Sequence, residues 1–217
     1  MKNLTVILSI LLLALVSHAQ QFEWVQSIET TPWSAGDVIG NKIEIDAHEH
    51  LYIYGTFNHQ TDFDPGGGVS SASPIGSRDD IFVMKTDSAG NFIWVITLDD
   101  NDALERPQNG MAVDDSGNVY ITGTFSGQMD ANPGAATHQL STNSFDNVFV
   151  VKLDANGNFV WAKSFGEGFS DVSVLGIEVG PAGNIYLNGY YADSVDFDPG
   201  PGVFQLLYPV PRRHEGV

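Results

Sequence analysis

Three pentapeptides carry the residues best suited to chemistry. The string DFDPG occupies 62–66 and again 196–200, and DANPG at 130–134 is a third, altered copy. In an extended segment alternate side chains share a face, so Asp62 and Asp64, Asp130 and Asn132, and Asp196 and Asp198 each point together. Neighbouring carboxylates repel unless a cation or backbone N–H groups receive them. Calcium suits such clustered oxygens and takes about 6 to 8 of them. Asn132 keeps an oxygen and loses only the charge. Against a calcium loop, the stretch lacks the further ligands and the terminal Glu of an EF-hand. A turn uses the same letters with no ion: Asp accepts a backbone N–H, Pro fixes the next φ, and Gly supplies the positive φ after it. That reading makes Phe63 and Phe197 wedges in the core. Both readings stay open, the metal one with Asp62, Asp64, Asp130, Asn132, Asp196 and Asp198 as calcium ligands.

Other reactive or sticky residues weigh differently. Trp24, Trp94 and Trp161 recur at one point of an internal repeat, which packing between repeats explains better than glycan stacking. Trp33 lies off that register in a loop and is the better sugar platform. His48-Glu49-His50 has the letters of a metal site but takes the place of Ser116-Gly117-Asn118 in the next repeat, so it reads as a solvated turn. Asp99, Asp100 and Asp102 read as a solvated acidic cluster. No GxSxG, HExxH, phosphate-cradling glycine loop or Cys nucleophile occurs, so no catalytic residue is assigned.

The elements that position these residues begin after residue 19. Lys2, an apolar run from Leu4 to Val16 and the small residues of Ser17-His18-Ala19 read as a signal peptide over 1–19, too short to span a bilayer, and no later run could anchor the chain. The expected protein is secreted or at the cell surface. Having no Cys, it must hold together without disulfides, by core burial with or without bound ions. A net charge of −18 makes nucleic acid and anionic lipid poor partners and leaves cations, basic proteins and neutral glycans.

A repeat of about 67 residues organises the remainder. Tyr52, Tyr120 and Tyr186 head LYIYGTF, VYITGTF and IYLNGYY, and DIFVMKTDSAGN returns as NVFVVKLDANGN. The repeats run about 22–90, 91–157 and 158–217. Each holds four short β-rich runs bounded by turn residues, and DSAGN, DDSGN and DANGN read as tight hairpins. In the first run one face is apolar, as at Ile43 and Ile45, Met111 and Val113, Ile177 and Val179. The third run, IFVM or VFVV, is apolar throughout, so both its faces need cover. Small sheets stacked face to face supply that, which predicts an all-β chain of four-stranded antiparallel β-propeller blades.

The strings GNVYITGTF, DNVFVVKLDANGNFVW and DFDPG resemble the bacterial extracellular β-propeller repeats called SBBP repeats. The resemblance covers nearly all of 20–217 and implies a secreted propeller, with no catalytic residue to carry over. Blades are expected at about 42–98, 110–165 and 175–207, with an orphan strand over 22–28 left from a blade begun elsewhere and an aberrant tail at 208–217. That is an incomplete propeller, expected to be truncated, whose exposed edges need more blades or a self-partner. The meander gathers the DFDPG loops and inter-blade loops, with more than half of the acidic residues, at one end. The function expected is a non-catalytic surface adhesion module binding protein or glycan at that acidic face, with calcium assisting. The alternatives are a polysaccharide hydrolase or lyase, which needs two carboxylates about 5 to 9.5 Å apart, and a fragment with no function of its own.

Overall fold

The structure, a computed structural model, describes residues 24–30, 36–76, 79–98, 110–142, 146–166, 172–192 and 194–207. Among these the chain is all-β, without helices. Val38–Ile45, Leu51–Phe57, Asp80–Thr86 and Phe92–Leu98 form the first blade, a four-stranded antiparallel meander with neighbours in chain order. Met111–Val113, Val119–Phe125, Asn147–Leu153 and Phe159–Phe165 repeat it as the second blade. Val172–Val179 and Ile185–Tyr191 pair as the first two strands of a third.

The apolar third strands divide their side chains between two interfaces. Ile81 and Val83 join a core shared with the second blade's Met111, Ile121, Phe149 and Val151. Phe82 and Met84 face the other way, into a cluster with Phe57 and Phe63. In the second blade Phe149 looks back at the first, while Val150 packs with Ala112, Tyr120 and the third blade's Ile177. Phe82, Val83, Phe149 and Val150 are exposed by 0%, 0%, 0% and 4%, so neither face of these strands meets water. Full burial of each such side chain stabilises by roughly 1.5–3 kcal/mol, and a sheet with one wet face would forfeit half of the set. The fold is that of an incomplete β-propeller.

Inner-strand apolar residues depend on the neighbour. Met111 and Ile177 are buried, facing the blade before them, but Ile43 and Ile45 are 61% and 62% exposed. The alternation read at 43 and 45 is present, yet among the described residues no complete blade lies over that face. What does lie beside the first blade is the segment 24–28. It joins none of the described sheets, so the strand expected there is not formed as such, but it sits in the register of an outermost strand. The Trp24 indole donates to Ser88 O at 3.1 Å just as the Trp94 indole donates to Ala155 O at 3.3 Å one repeat later.

The DFDPG segments, expected as long loops, fold into small hairpins of their own. Thr61–Asp62 pairs with Ser71–Ala72 and with Glu29–Thr30, Gln128–Asp130 pairs with Gln139–Ser141, and Ser194–Asp196 pairs with Gln205–Leu207. Strands this short carry no legible hydrophobic period, which is why composition alone reads them as loop.

Candidate functional site

In each acidic pentapeptide one side-chain oxygen of each of the two polar residues, Oδ1, is engaged by backbone. Asp62 Oδ1 accepts the N–H groups of Asp64 at 3.1 Å and Ser70 at 2.8 Å, and Asp64 Oδ1 accepts that of Gly66 at 2.8 Å. Asp130 Oδ1 receives Asn132 and His138 at 3.0 and 2.9 Å, and Asn132 Oδ1 receives Gly134 at 2.8 Å. Asp196 Oδ1 receives Asp198 and Phe204 at 3.0 and 2.8 Å, and Asp198 Oδ1 receives Gly200 at 2.7 Å. The first Asp thus closes the hairpin and the second residue closes the turn inside it. A Cβ at Gly68 or Gly202 would lie 2.1 or 2.2 Å from Oδ2 of Asp64 or Asp198. The middle copy, with Asn132 in place of the carboxylate, carries Ala136 at that position.

Between the two acidic residues the chain sends a side chain inward. Phe63 is fully buried, 5.2 Å from the Phe57 ring and 4.8 Å from that of Phe82. Phe197 meets Phe165 and Tyr191 at 6.2 and 5.4 Å. Trp33, the cluster Asp99, Asp100 and Asp102, the segment 1–19 and the tail 208–217 all lie outside the described residues.

The largest change between repeats is at the third blade. In the first two blades a glycine of the second strand stands opposite a phenylalanine of the third: Gly55 pairs with Phe82 and Gly123 with Phe149. A Cβ on either glycine would come within 2.7 Å of that ring, so the glycine is the socket over which the ring lies. Gly189 holds the same place in IYLNGYY, and the atoms nearest an added Cβ there are backbone of Ser173 and Val174, with no ring among them. A cleft of about 420 Å³ opens instead, lined by Phe165, Val172, Leu187, Gly189, Tyr191 and Phe197 among others. Among the described residues no strand pairs with the outer edge of Ile185–Tyr191. Sequence reading missed this cleft because its shape depends on how neighbouring strands pack, which no run of residues shows by itself.

At the opposite end lie the tight turns. Asp87, Asp114 and Asp154 each accept N–H groups two and four residues on, and the side-chain amide of Asn91, Asn118 or Asn158 completes each turn. Asp46 does the same with His48 N and His50 N at 2.8 and 3.0 Å, but the His50 ring stands in for the amide, with Nδ1 2.9 Å from Asp46 Oδ2. Tyr52 adds its hydroxyl at 3.1 Å. Burial opposes the charge on Asp46, yet the His50 and His48 backbone N–H groups, the His50 ring and Tyr52 together hold its pKa down to about 2. Lys85, whose pKa is lowered chiefly by burial, lies over the Tyr52 ring at 4.7 Å and donates to Ala155 O at 3.2 Å, tying this corner to the second blade. Among the described residues, Asp46, His48 and His50 form one group of three with converging ligand atoms. The sequence named the histidines but not Asp46, whose share in the group only the turn geometry brings out.

No family model matches the chain, so the SBBP-type resemblance is carried by the quoted strings. Over 128 residues, 55% of this chain, it is 30% identical to an uncharacterized WD repeat-containing protein of Acanthamoeba polyphaga mimivirus. The chain is a β-propeller-type repeat protein. The match spans 9% of that relative's length. Among the described residues no helix is long and apolar enough to cross a membrane.

Proposed function

We propose that the chain is a non-catalytic β-propeller module that binds polypeptide, taking a strand of its partner along the open edge of the third blade. The observation that carries this reading is the socket at Gly189, over which no strand of the described residues lies. An extended peptide with Phe opposite Gly189 and aliphatic residues on either side would reproduce the pairing of Phe82 with Gly55. Main-chain hydrogen bonds would supply affinity and the aromatic socket would supply selectivity. The WD repeat character of the viral relative supports a protein partner. The export segment read at 1–19 and the SBBP-type strings support a secreted or surface setting, in which the module serves adhesion. The acidic hairpin end is the second contact region on this reading, with protein or glycan as its ligand and calcium at the Asp62 and Asp64 pair as its accessory.

The test is a labelled peptide with the sequence of residues 80–87, DIFVMKTD, titrated with the chain and followed by fluorescence anisotropy. Saturable binding that weakens about tenfold or more when the peptide's Phe is replaced by Ala is the expected result. Absence of binding, or equal binding of the two peptides, would contradict it.

A further inference from the structure

Among the described residues five turns are built on one plan, at 46–50, 87–91, 114–118, 154–158 and 180–184. Four of them place Gly fourth and Asn fifth: Gly90-Asn91, Gly117-Asn118, Gly157-Asn158 and Gly183-Asn184. Those glycines have φ of 84°, 78°, 81° and 77°, the left-handed region that a Cβ resists. The first turn departs at the fourth and fifth positions, with Glu49 and His50, and carries His48 just before them. Glu49 adopts φ 64° and is the non-glycine residue with positive φ among those described. A strained backbone is thus kept where glycine would relieve it, at the place where two imidazoles meet a buried carboxylate.

We propose that Asp46, His48 and His50 bind a divalent transition-metal ion, with zinc the best fit. One ligand atom from each residue lies within 4.8 Å of the others. In a tetrahedral zinc site, bonds of about 2.0–2.2 Å set ligand atoms about 3.3–3.5 Å apart, so the exposed His48 ring closes the site by a small rotation. Two imidazoles and one carboxylate select zinc, nickel or copper over calcium and magnesium, which prefer oxygen alone. Water completes the coordination on the open side. The outer partners are already in place: Asp46 Oδ1 is fixed by two backbone N–H groups and Oδ2 receives Tyr52, the kind of support that orients a metal-binding carboxylate. Two charged neighbours act in opposite senses. Lys85 Nζ, 3.9 Å from Asp46 Oδ2 on the buried side, opposes a cation, and Asp87, within electrostatic reach of His50, favours one. The site sits at the tight-turn end, away from the cleft, and stands independently of the function proposed there.

Untagged full-length chain would be titrated calorimetrically with zinc chloride, and with cobalt(II) to read the ligand-field bands of a nitrogen- and oxygen-bound ion. Two variants decide the assignment. His50→Asn restores the residue used by the four sister turns, so it keeps the fold while removing a ligand; His48→Ala removes an exposed ligand that the turn does not need. His59→Ala serves as a control elsewhere on the first blade. One zinc per chain, lost or weakened about tenfold or more in both test variants and unchanged in the control, is expected. No zinc binding by the parent chain at about 1 mM, or parent affinity retained in either test variant, would overturn the site.

Discussion

Replacing Asp62 distinguishes a hairpin clasp from a cation ligand. Its Oδ1 accepts two backbone N–H groups, from Asp64 and Ser70, the second across the whole hairpin. Hydrogen bonds to a charged acceptor contribute about 1.5–3 kcal/mol each when shielded, and because this side chain is only half-buried the pair is worth about 2–3 kcal/mol together. Asp62→Ala removes both. Asp62→Asn keeps an acceptor oxygen at the same position and costs about 0.5–1 kcal/mol. For a chain of this size each kcal/mol shifts Tm by about 2–4 °C, so Ala should lower it by about 4–12 °C and Asn by about 1–4 °C. Asp64→Asn should be near neutral, since Asn132 already makes the same bond to Gly134. Differential scanning fluorimetry with calcium and with chelator reads all three. If Asn proves as damaging as Ala, and calcium raises Tm of the parent but of neither variant, a cation rather than a backbone clasp accounts for the motif.

Trp94→Phe keeps the ring against Tyr52 but loses the bond to Ala155 O; urea unfolding should show a loss of about 1 kcal/mol. Glu49→Gly relieves the left-handed φ at the cost of unfolded-state entropy, and should raise stability by about 0.5–1 kcal/mol in the same assay. Asp114 is depressed below the usual carboxylate range: burial works against its charge, but the Asn118 amide, the Asn118 and Ser116 N–H groups and Tyr120 outweigh it. A depressed carboxylate contributes stability that is complete above the unfolded value of 3.8 and is lost as pH falls through the lower folded value. Melting temperature should therefore be flat with respect to this group above about pH 5 and decline below about pH 4, less steeply in Asp114→Asn.

What the sequence made legible follows from period and punctuation. Phe82 beside Val83, both apolar, announced a strand covered on two sides, and DSAGN, DDSGN and DANGN announced turns whose Asp and Gly roles the structure reproduces. The buried Phe63 between Asp62 and Asp64 was legible because alternation in an extended segment must send one side chain inward. Features that depend on a neighbour were not legible. Ile43 and Met111 are equivalent in the repeat, yet one is exposed and the other buried according to what packs in front. The small hairpins at Thr61–Asp62 and Gln128–Asp130 are closed by aspartate clasps, and the inward residues they contribute, such as Met129 and Leu140, are too few to show a period. The site at Asp46 was half visible: His48 and His50 stood out, but a carboxylate two residues earlier looks like any turn aspartate until its hydrogen bonds are seen.

The cover on both faces of the first blade's third strand is most directly measured by urea unfolding of two adjacent truncations, Phe82→Ala and Val83→Ala. Their side chains enter different cores, so Phe82→Ala should cost about 3–5 kcal/mol and Val83→Ala about 2 kcal/mol. A cost below about 0.5 kcal/mol at either position, the range of a surface substitution, would mean that one face of the strand is open to water, and at Val83, whose core is shared with the second blade, that the two blades are not stacked.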